Sequence, residues 1–404
     1  MFVSRCVVLC LAAAAVNDAA SIPATSPLVR WSGRCVRDES SGRVSFDWQS
    51  VVARFSVRGA TSVWATLNST FWSSPPPGAT AAAAASLNAI PRTLQQTQFP
   101  KFGVFRTYVN GVRVQAAGLD GIVVAAGEAE HELVRGLAPD QSYNVSLWYT
   151  TDPVFNSWPD LDAGAGCRQT VAALRTDGDF APPPPPRARS LLILGDSITS
   201  GNAMYKPCDN ATKCDSGEAY GGRLCEAFDL NCTQLSASSK GLTRNCCDAL
   251  PATVPVLANR TFAQEAASAA DWASAAYDAA LIHLGTNDGD VGEAAFAPAY
   301  LALLRHVAAR ARDPARFVAF CAYGPNSDTF APWMRAAMAN ASALGIRTVE
   351  LNLMAAPMDG CGHPGVLGHP AMARAAAPVI ADATGWTFDP GLLGPAPEGA
   401  PSGW

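Results

Sequence analysis

Residues 181–189 read APPPPPRAR, a run that neither an α-helix nor an internal strand can absorb. Proline has no N–H to donate and fixes its own φ, so consecutive prolines hold the chain as an extended, semi-rigid spacer. The chain must therefore build separate cores on either side of this run. At 404 residues it has the length to do so. The expected organisation is a signal segment over 1–20, a β-sandwich over 27–178 and a proline-rich linker over 179–189. An α/β domain over 190–392 and a short tail over 393–404 complete it.

On the amino-terminal side, runs such as VSFDWQSVVARFSV, TSVWATLN and YNVSLWYTT alternate apolar with polar residues and are rich in aromatic and β-branched types. YVNGVRV places Asn110-Gly111 between two such runs, the strongest short-range hairpin cue. No helical period competes, so this half is expected to be an all-β sandwich of jelly-roll type. Residues 73–86, SSPPPGATAAAAAS, interrupt the pattern and are expected to be a loop insertion.

Beyond the spacer the rhythm becomes strand, helix, strand. SLLILGD, NCTQLSA, AALIHLG, RFVAFCAYG and IRTVELNL are nearly continuous apolar runs. Ala-rich stretches, such as 291–312 and 329–344, separate them and suit helices. Strands of this kind form a parallel sheet covered on both faces, with functional groups at the carboxyl ends of the strands.

The first residues, MFVSRCVVLCLAAAAVNDAASIPA, combine an early Arg, a short apolar run and small residues. That pattern predicts a secretory signal cleaved near Ala19 or Ala20; the run is too short for a stable membrane span. Secretion permits disulfides. Cys35, Cys167, Cys208, Cys214, Cys225, Cys232, Cys246, Cys247, Cys321 and Cys361 form an even set after cleavage, expected mostly to pair. Zinc binding by Cys208, Cys214, Cys225 and Cys232 is the weaker alternative, since their spacing lacks short CxxC repeats. Asn68, Asn144, Asn210, Asn231, Asn259 and Asn340 each open an Asn-X-Ser/Thr sequon. The formal charge of −5 and the lack of a basic stripe argue against nucleic acid as a partner.

Three expected strands end in chemistry. Gly195-Asp196-Ser197 closes the first, Gly285-Thr286-Asn287-Asp288 closes another, and the last leads into MDGCGHPGVLGHPAMA with His363 and His369. A serine hydroxyl becomes a nucleophile when a base takes its proton, and histidine does this best near neutral pH. The resulting oxyanion needs fixed donors, which the N–H groups of Ser197 and Gly241 and the amide of Asn287 could supply. His283, inside an apolar strand, reads as a core residue, and His369 as a residue that opens and packs the final helix. Ser197 as a plain helix cap is the bland alternative. Trp31, Trp48, Trp64, Trp72, Trp272 and Trp333 are open between core packing and sugar contact.

In this order, GDSI, the glycine of SKGL, GTND and HPGVLGH resemble the SGNH (GDSL-type) hydrolases. KGLTRNCCD, the Pro and Arg of PVLANR and the β-rich opening are similar to its carbohydrate esterase family 2 branch, the acetyl xylan esterase-like proteins. The resemblance implies a flavodoxin-like αβα domain behind the jelly roll, with Ser197 as nucleophile and His363 as base. It also implies an oxyanion hole from Ser197, Gly241 and Asn287, and no metal or organic cofactor. The implied activity is release of acetyl groups from carbohydrate, and the implied partner is an acetylated polysaccharide or oligosaccharide. A lipid or small-ester esterase and an inactive carbohydrate-binding protein are the rivals. The acid departs from the wider pattern: Asp359 stands four residues before His363, where the family places an Asp three before. Asp359 is open between completing a triad and holding a turn, and some members of the branch use a Ser-His dyad oriented by a backbone carbonyl.

Overall fold

The structure, a computed structural model, describes residues 19–72, 103–114, 121–153, 166–206, 213–246, 252–270, 275–325 and 327–395. Residues 1–18 of the expected signal, the insertion at 73–86, Cys208, Cys247, Asn210, Trp72's side chain, Trp272 and most of the tail lie outside them.

The amino-terminal half is two antiparallel sheets, six- and seven-stranded. Strand Val51–Arg58 shows how alternation builds it. Val51, Ala53, Phe55 and Val57 enter the core between the sheets, while Val52, Arg54 and Ser56 face the other way. Asn110-Gly111 joins strands Gly103–Val109 and Val112–Val114, with both residues at positive φ (51° and 80°) as a two-residue primed turn demands.

In the carboxyl-terminal half, five parallel strands run in the order Leu230–Ser236, Arg189–Gly195, Ala279–His283, Val318–Tyr323, Thr348–Asn352. By chain order that is 2-1-3-4-5, the doubly wound order in which the first and third strands flank a switch point. All five strands match the apolar runs of the sequence. Leu191 and Ile193 pack toward helices Tyr220–Ala227 and Gly368–Thr384, and Leu192 and Leu194 toward helices Glu293–Ala308 and Ala331–Ala343. Helices thus cover both faces.

The spacer does not hold the halves apart. Asp179–Ala181, inside the expected linker, is an edge strand paired with Val51–Arg58. Trp48 sits wholly buried in a core shared with Leu192 and Leu194, its indole N–H donating to the Arg260 carbonyl at 3.3 Å. Asp47 accepts from the Ala263 and Gln264 N–H groups at 2.8 and 2.9 Å. Arg106 meets Asp215 at 2.7 Å, both buried. Desolvating such groups is costly unless they are paired, so these contacts fix one arrangement of the halves.

Cysteine pairing follows the expectation only in part. Cys225 and Cys232 are bonded to each other, and Cys246 and Cys361 are also disulfide-bonded. Cys35, Cys167, Cys214 and Cys321 are not disulfide-bonded. An even count does not imply pairing: Cys167, Cys214 and Cys321 are core positions where sulfur packs as a small apolar group. Burial pushes the Cys321 thiol up to about 12, which keeps it protonated.

Candidate active site

The first strand of the parallel sheet delivers its last residue to the switch point. Asp196 then caps a short helix, Ser197–Ser200, its carboxylate accepting from the Ile198 N–H at 3.0 Å. The cap is wholly buried, and this burial above all pushes the Asp196 carboxyl up to about 7, against the stabilising Ile198 N–H. Ser197 occupies the first helical position, where an N–H has no partner within the helix.

His363 reaches Ser197 from the loop before the last helix. Its Nε2 lies 2.8 Å from Ser197 Oγ, and its Nδ1 lies 3.3 Å from the Cys361 carbonyl oxygen. A carbonyl only accepts, so it selects the tautomer with hydrogen on Nδ1 and leaves Nε2 to accept from the serine hydroxyl. Burial holds the His363 pKa below the ordinary histidine value, with the Cys361 carbonyl acting in the opposite direction. The base is therefore neutral and able to accept a proton at pH 7.

Asp359 does not meet this imidazole. Its carboxylate accepts from the N–H groups of Gly365 (2.7 Å), Leu367 (2.9 Å) and Gly368 (2.9 Å) and ties the loop into the start of the last helix. Burial acts to raise its pKa, and these N–H donors together lower it below the usual carboxylate value. The triad expectation is corrected here: the Asp-Gly-Cys-Gly turn aims the carboxylate at its own loop, and a backbone carbonyl stands where an acid was sought.

The donors are arranged unequally. Asn287 is buried and gives one Nδ2 hydrogen to the Lys240 carbonyl at 3.0 Å. An amide carries a second hydrogen. The Gly241 N–H, expected to face the oxyanion, donates instead to Asn245 Oδ1 at 3.2 Å. That correction has a local cause: the loop turns back on itself, and a Cβ at Gly241 would collide with the Arg244 carbonyl and the Asp288 carboxylate. Asp288 locks the turn by accepting from Leu242 N (2.9 Å), Thr243 N (2.6 Å) and Thr243 Oγ1 (2.7 Å).

Two residues absent from the sequence argument come from the other half. Gln49, fully buried, donates through Nε2 to the Ser236 carbonyl (2.7 Å) and Ser200 Oγ (3.2 Å). Asp152 accepts from Ser238 N (3.0 Å) and Ser238 Oγ (2.7 Å). His283 and His369 are core residues as expected, each bonded to Tyr220, through its hydroxyl (3.1 Å) and its N–H (3.3 Å) respectively. Trp333 packs on Phe296 at 5.8 Å.

A serine and a histidine in contact at the carboxyl ends of a 2-1-3-4-5 parallel sheet, backed by two antiparallel sheets, is a hydrolase-type architecture. It is the fold of solved family 2 carbohydrate esterases. One from Cellvibrio japonicus is similar over 91% of this chain and 99% of its own, at TM-score 0.70 and 18% identity. Another from Clostridium thermocellum, solved in complex with cellohexaose, is similar over 89% and 99%, at TM-score 0.68 and 20% identity. An acetyl xylan esterase from the rumen bacterium Butyrivibrio proteoclasticus is similar over 92% and 99%, at TM-score 0.71 and 16% identity. Comparison with protein-family models and with curated protein sequences finds no match. At these identities the likeness is one of fold.

Proposed function

We propose that the chain is a secreted serine esterase that removes O-acetyl groups from polysaccharide or oligosaccharide through a Ser197–His363 dyad. The observation that carries this reading is the 2.8 Å contact between Ser197 Oγ and His363 Nε2, with the tautomer set by the Cys361 carbonyl. Ser197 Oγ attacks the acetyl carbonyl as its proton passes to His363 Nε2. The Cys361 carbonyl then holds the imidazolium through Nδ1–H. The Ser197 N–H and the second Asn287 N–H receive the oxyanion. His363 protonates the departing sugar oxygen, and water then releases acetate from Ser197. The carbohydrate substrate is supported by the neighbours of the same fold, one an acetyl xylan esterase and one solved with cellohexaose. The jelly-roll order of the amino-terminal strands and the division at 179–189 belong to the same reading.

The test is acetate release from a panel of acetylated polysaccharides by the native chain and by Ser197→Ala. Release by the native chain alone supports the reading, and equal release by both ends it. A lipid or small-ester esterase is the second reading, favoured by the exposure of Met358, Val366 and Leu367 in the loop carrying His363. A rise in kcat/KM with acyl length on nitrophenyl esters selects it; a preference for acetyl selects the first.

Two further outcomes are expected. A base works when neutral, and burial lowers the His363 pKa, so the site stays active further into acid. The acid limb of kcat/KM should fall below the ordinary histidine value of about 6.5; a limb above that value contradicts the geometry. Asp359→Asn keeps the imidazole's partners and weakens three loop hydrogen bonds. It should lower kcat by no more than about tenfold, against the roughly 10⁴-fold loss seen when a triad acid is neutralised.

A further inference from the structure

A cavity of about 560 Å³ lies at the junction of the two halves, lined by Pro184–Arg187 and by Asn231. These residues precede strand Arg189–Gly195 and open strand Leu230–Ser236, so the cavity is at the amino ends of the parallel strands. Ser197 follows their carboxyl ends, roughly 20 Å away at the rise of a strand. Two sequon asparagines, 87 positions apart in the chain, border this one cavity: Asn144 from the β half and Asn231 from the α/β half. Both are exposed. On strand Ser142–Tyr149 the core takes Val145, Leu147 and Tyr149, which turns Asn144 and the sequon hydroxyl of Ser146 to the opposite face. Asn144 Oδ1 accepts from Ser56 Oγ at 2.8 Å, and its Nδ2, the atom a sugar is attached to, makes no hydrogen bond among the described residues.

The walls suit a neutral sugar. Trp31 and Pro184–Pro186 offer ring faces of the kind that pack on sugar C–H groups. The carboxylates of Glu226 and Asp229 are already paired with Arg54 and Arg187, so Arg30 is the one further charged side chain on the lining and the polar remainder is hydroxyl and amide.

We propose that this cavity is the seat of an N-linked glycan carried by Asn144 or Asn231, whose first sugars bridge the two halves. The proposal takes up the secretory expectation of the N-terminus and is independent of the esterase reading. In the modification, a bond forms between Asn Nδ2 and C1 of the first N-acetylglucosamine, and the C1–O bond to a lipid-diphosphate donor breaks. The lipid diphosphate leaves with the electron pair, and the amide gives up one proton.

The test uses the full chain secreted from eukaryotic cells. Peptide mass spectrometry should find hexosamine on Asn144 or Asn231. Thermal unfolding of Asn144→Gln/Asn231→Gln should fall by about 2–4 °C, a shift that matches roughly 2–3 kcal/mol in a chain of this size. Asn340→Gln, at an exposed position on helix Ala331–Ala343, should show no such loss. Ser146→Ala/Thr233→Ala, which removes the sequons and keeps both asparagines, should reproduce the fall, and neither double variant should lose stability in protein made without sugars. Absence of sugar at both positions overturns the proposal. So does a loss no greater than that of Asn340→Gln, or an equal loss in sugar-free protein.

Discussion

Ser197→Ala should lower kcat on an acetyl ester by about 10³-fold or more while leaving the fold intact. The residue is buried at the first turn of a short helix, and alanine fits that position without a new cavity or a lost cap, since the cap is supplied by Asp196. What disappears is the only oxygen within hydrogen-bond reach of His363 Nε2 among the described residues. The backbone N–H of residue 197 and the Asn287 amide survive the change, so residual turnover above the uncatalysed rate is expected from oxyanion stabilisation alone. The measurement is a paired one: kcat with nitrophenyl acetate, and the unfolding temperature. A loss of activity together with a large fall in unfolding temperature contradicts the assignment of Ser197 to chemistry.

The second large effect is expected far from the nucleophile in sequence. Asp152→Ala should lower kcat by about 10²-fold, the scale set by misplacing reacting groups by roughly 1 Å. Asp152 holds the N–H and hydroxyl of Ser238. Two residues on, the Lys240 carbonyl takes one hydrogen of Asn287 and sets where the other points. Removing the carboxylate leaves two donors buried with one acceptor fewer, at a cost of about 1–3 kcal/mol for each unsatisfied group. The unfolding temperature should therefore fall as well. Asp152→Asn retains one acceptor oxygen and should recover part of kcat, which separates positioning from bulk destabilisation. Normal kcat in Asp152→Ala means that the β half is a passenger to the reaction.

Why Asp152 and Gln49 escape a reading of the sequence is plain from their partners, which lie 86 and 187 positions away. Periodicity reports which face of an element is apolar, and a buried Gln or Asp that satisfies a distant backbone leaves no local trace. The parallel strands were legible because burial on both faces requires continuous apolar runs, and the Asn110-Gly111 turn because few residues tolerate two positive φ angles in succession. Ser197 and His363 were legible as motif residues at strand ends. Asp359 shows the limit: spacing places a carboxylate near a histidine in the chain, but the direction of a side chain depends on how a four-residue turn closes. Gly241 shows it again, since its N–H is directed by Asn245, a residue of the same KGLTRNCCD block whose side chain the motif places but does not orient. The proline run leaves no trace of the contacts between the halves, because the residues that make them, Asp47, Trp48 and Arg106 with Ala263, Arg260 and Asp215, lie on either side of it.

The most direct measurement is intact and peptide mass after exposure to a fluorophosphonate. This reagent requires an activated hydroxyl with its base and oxyanion donors assembled. The account predicts one equivalent of adduct on the peptide containing Ser197, abolished in Ser197→Ala and slowed in His363→Ala. No adduct on a folded chain, or an adduct on another serine, would contradict it.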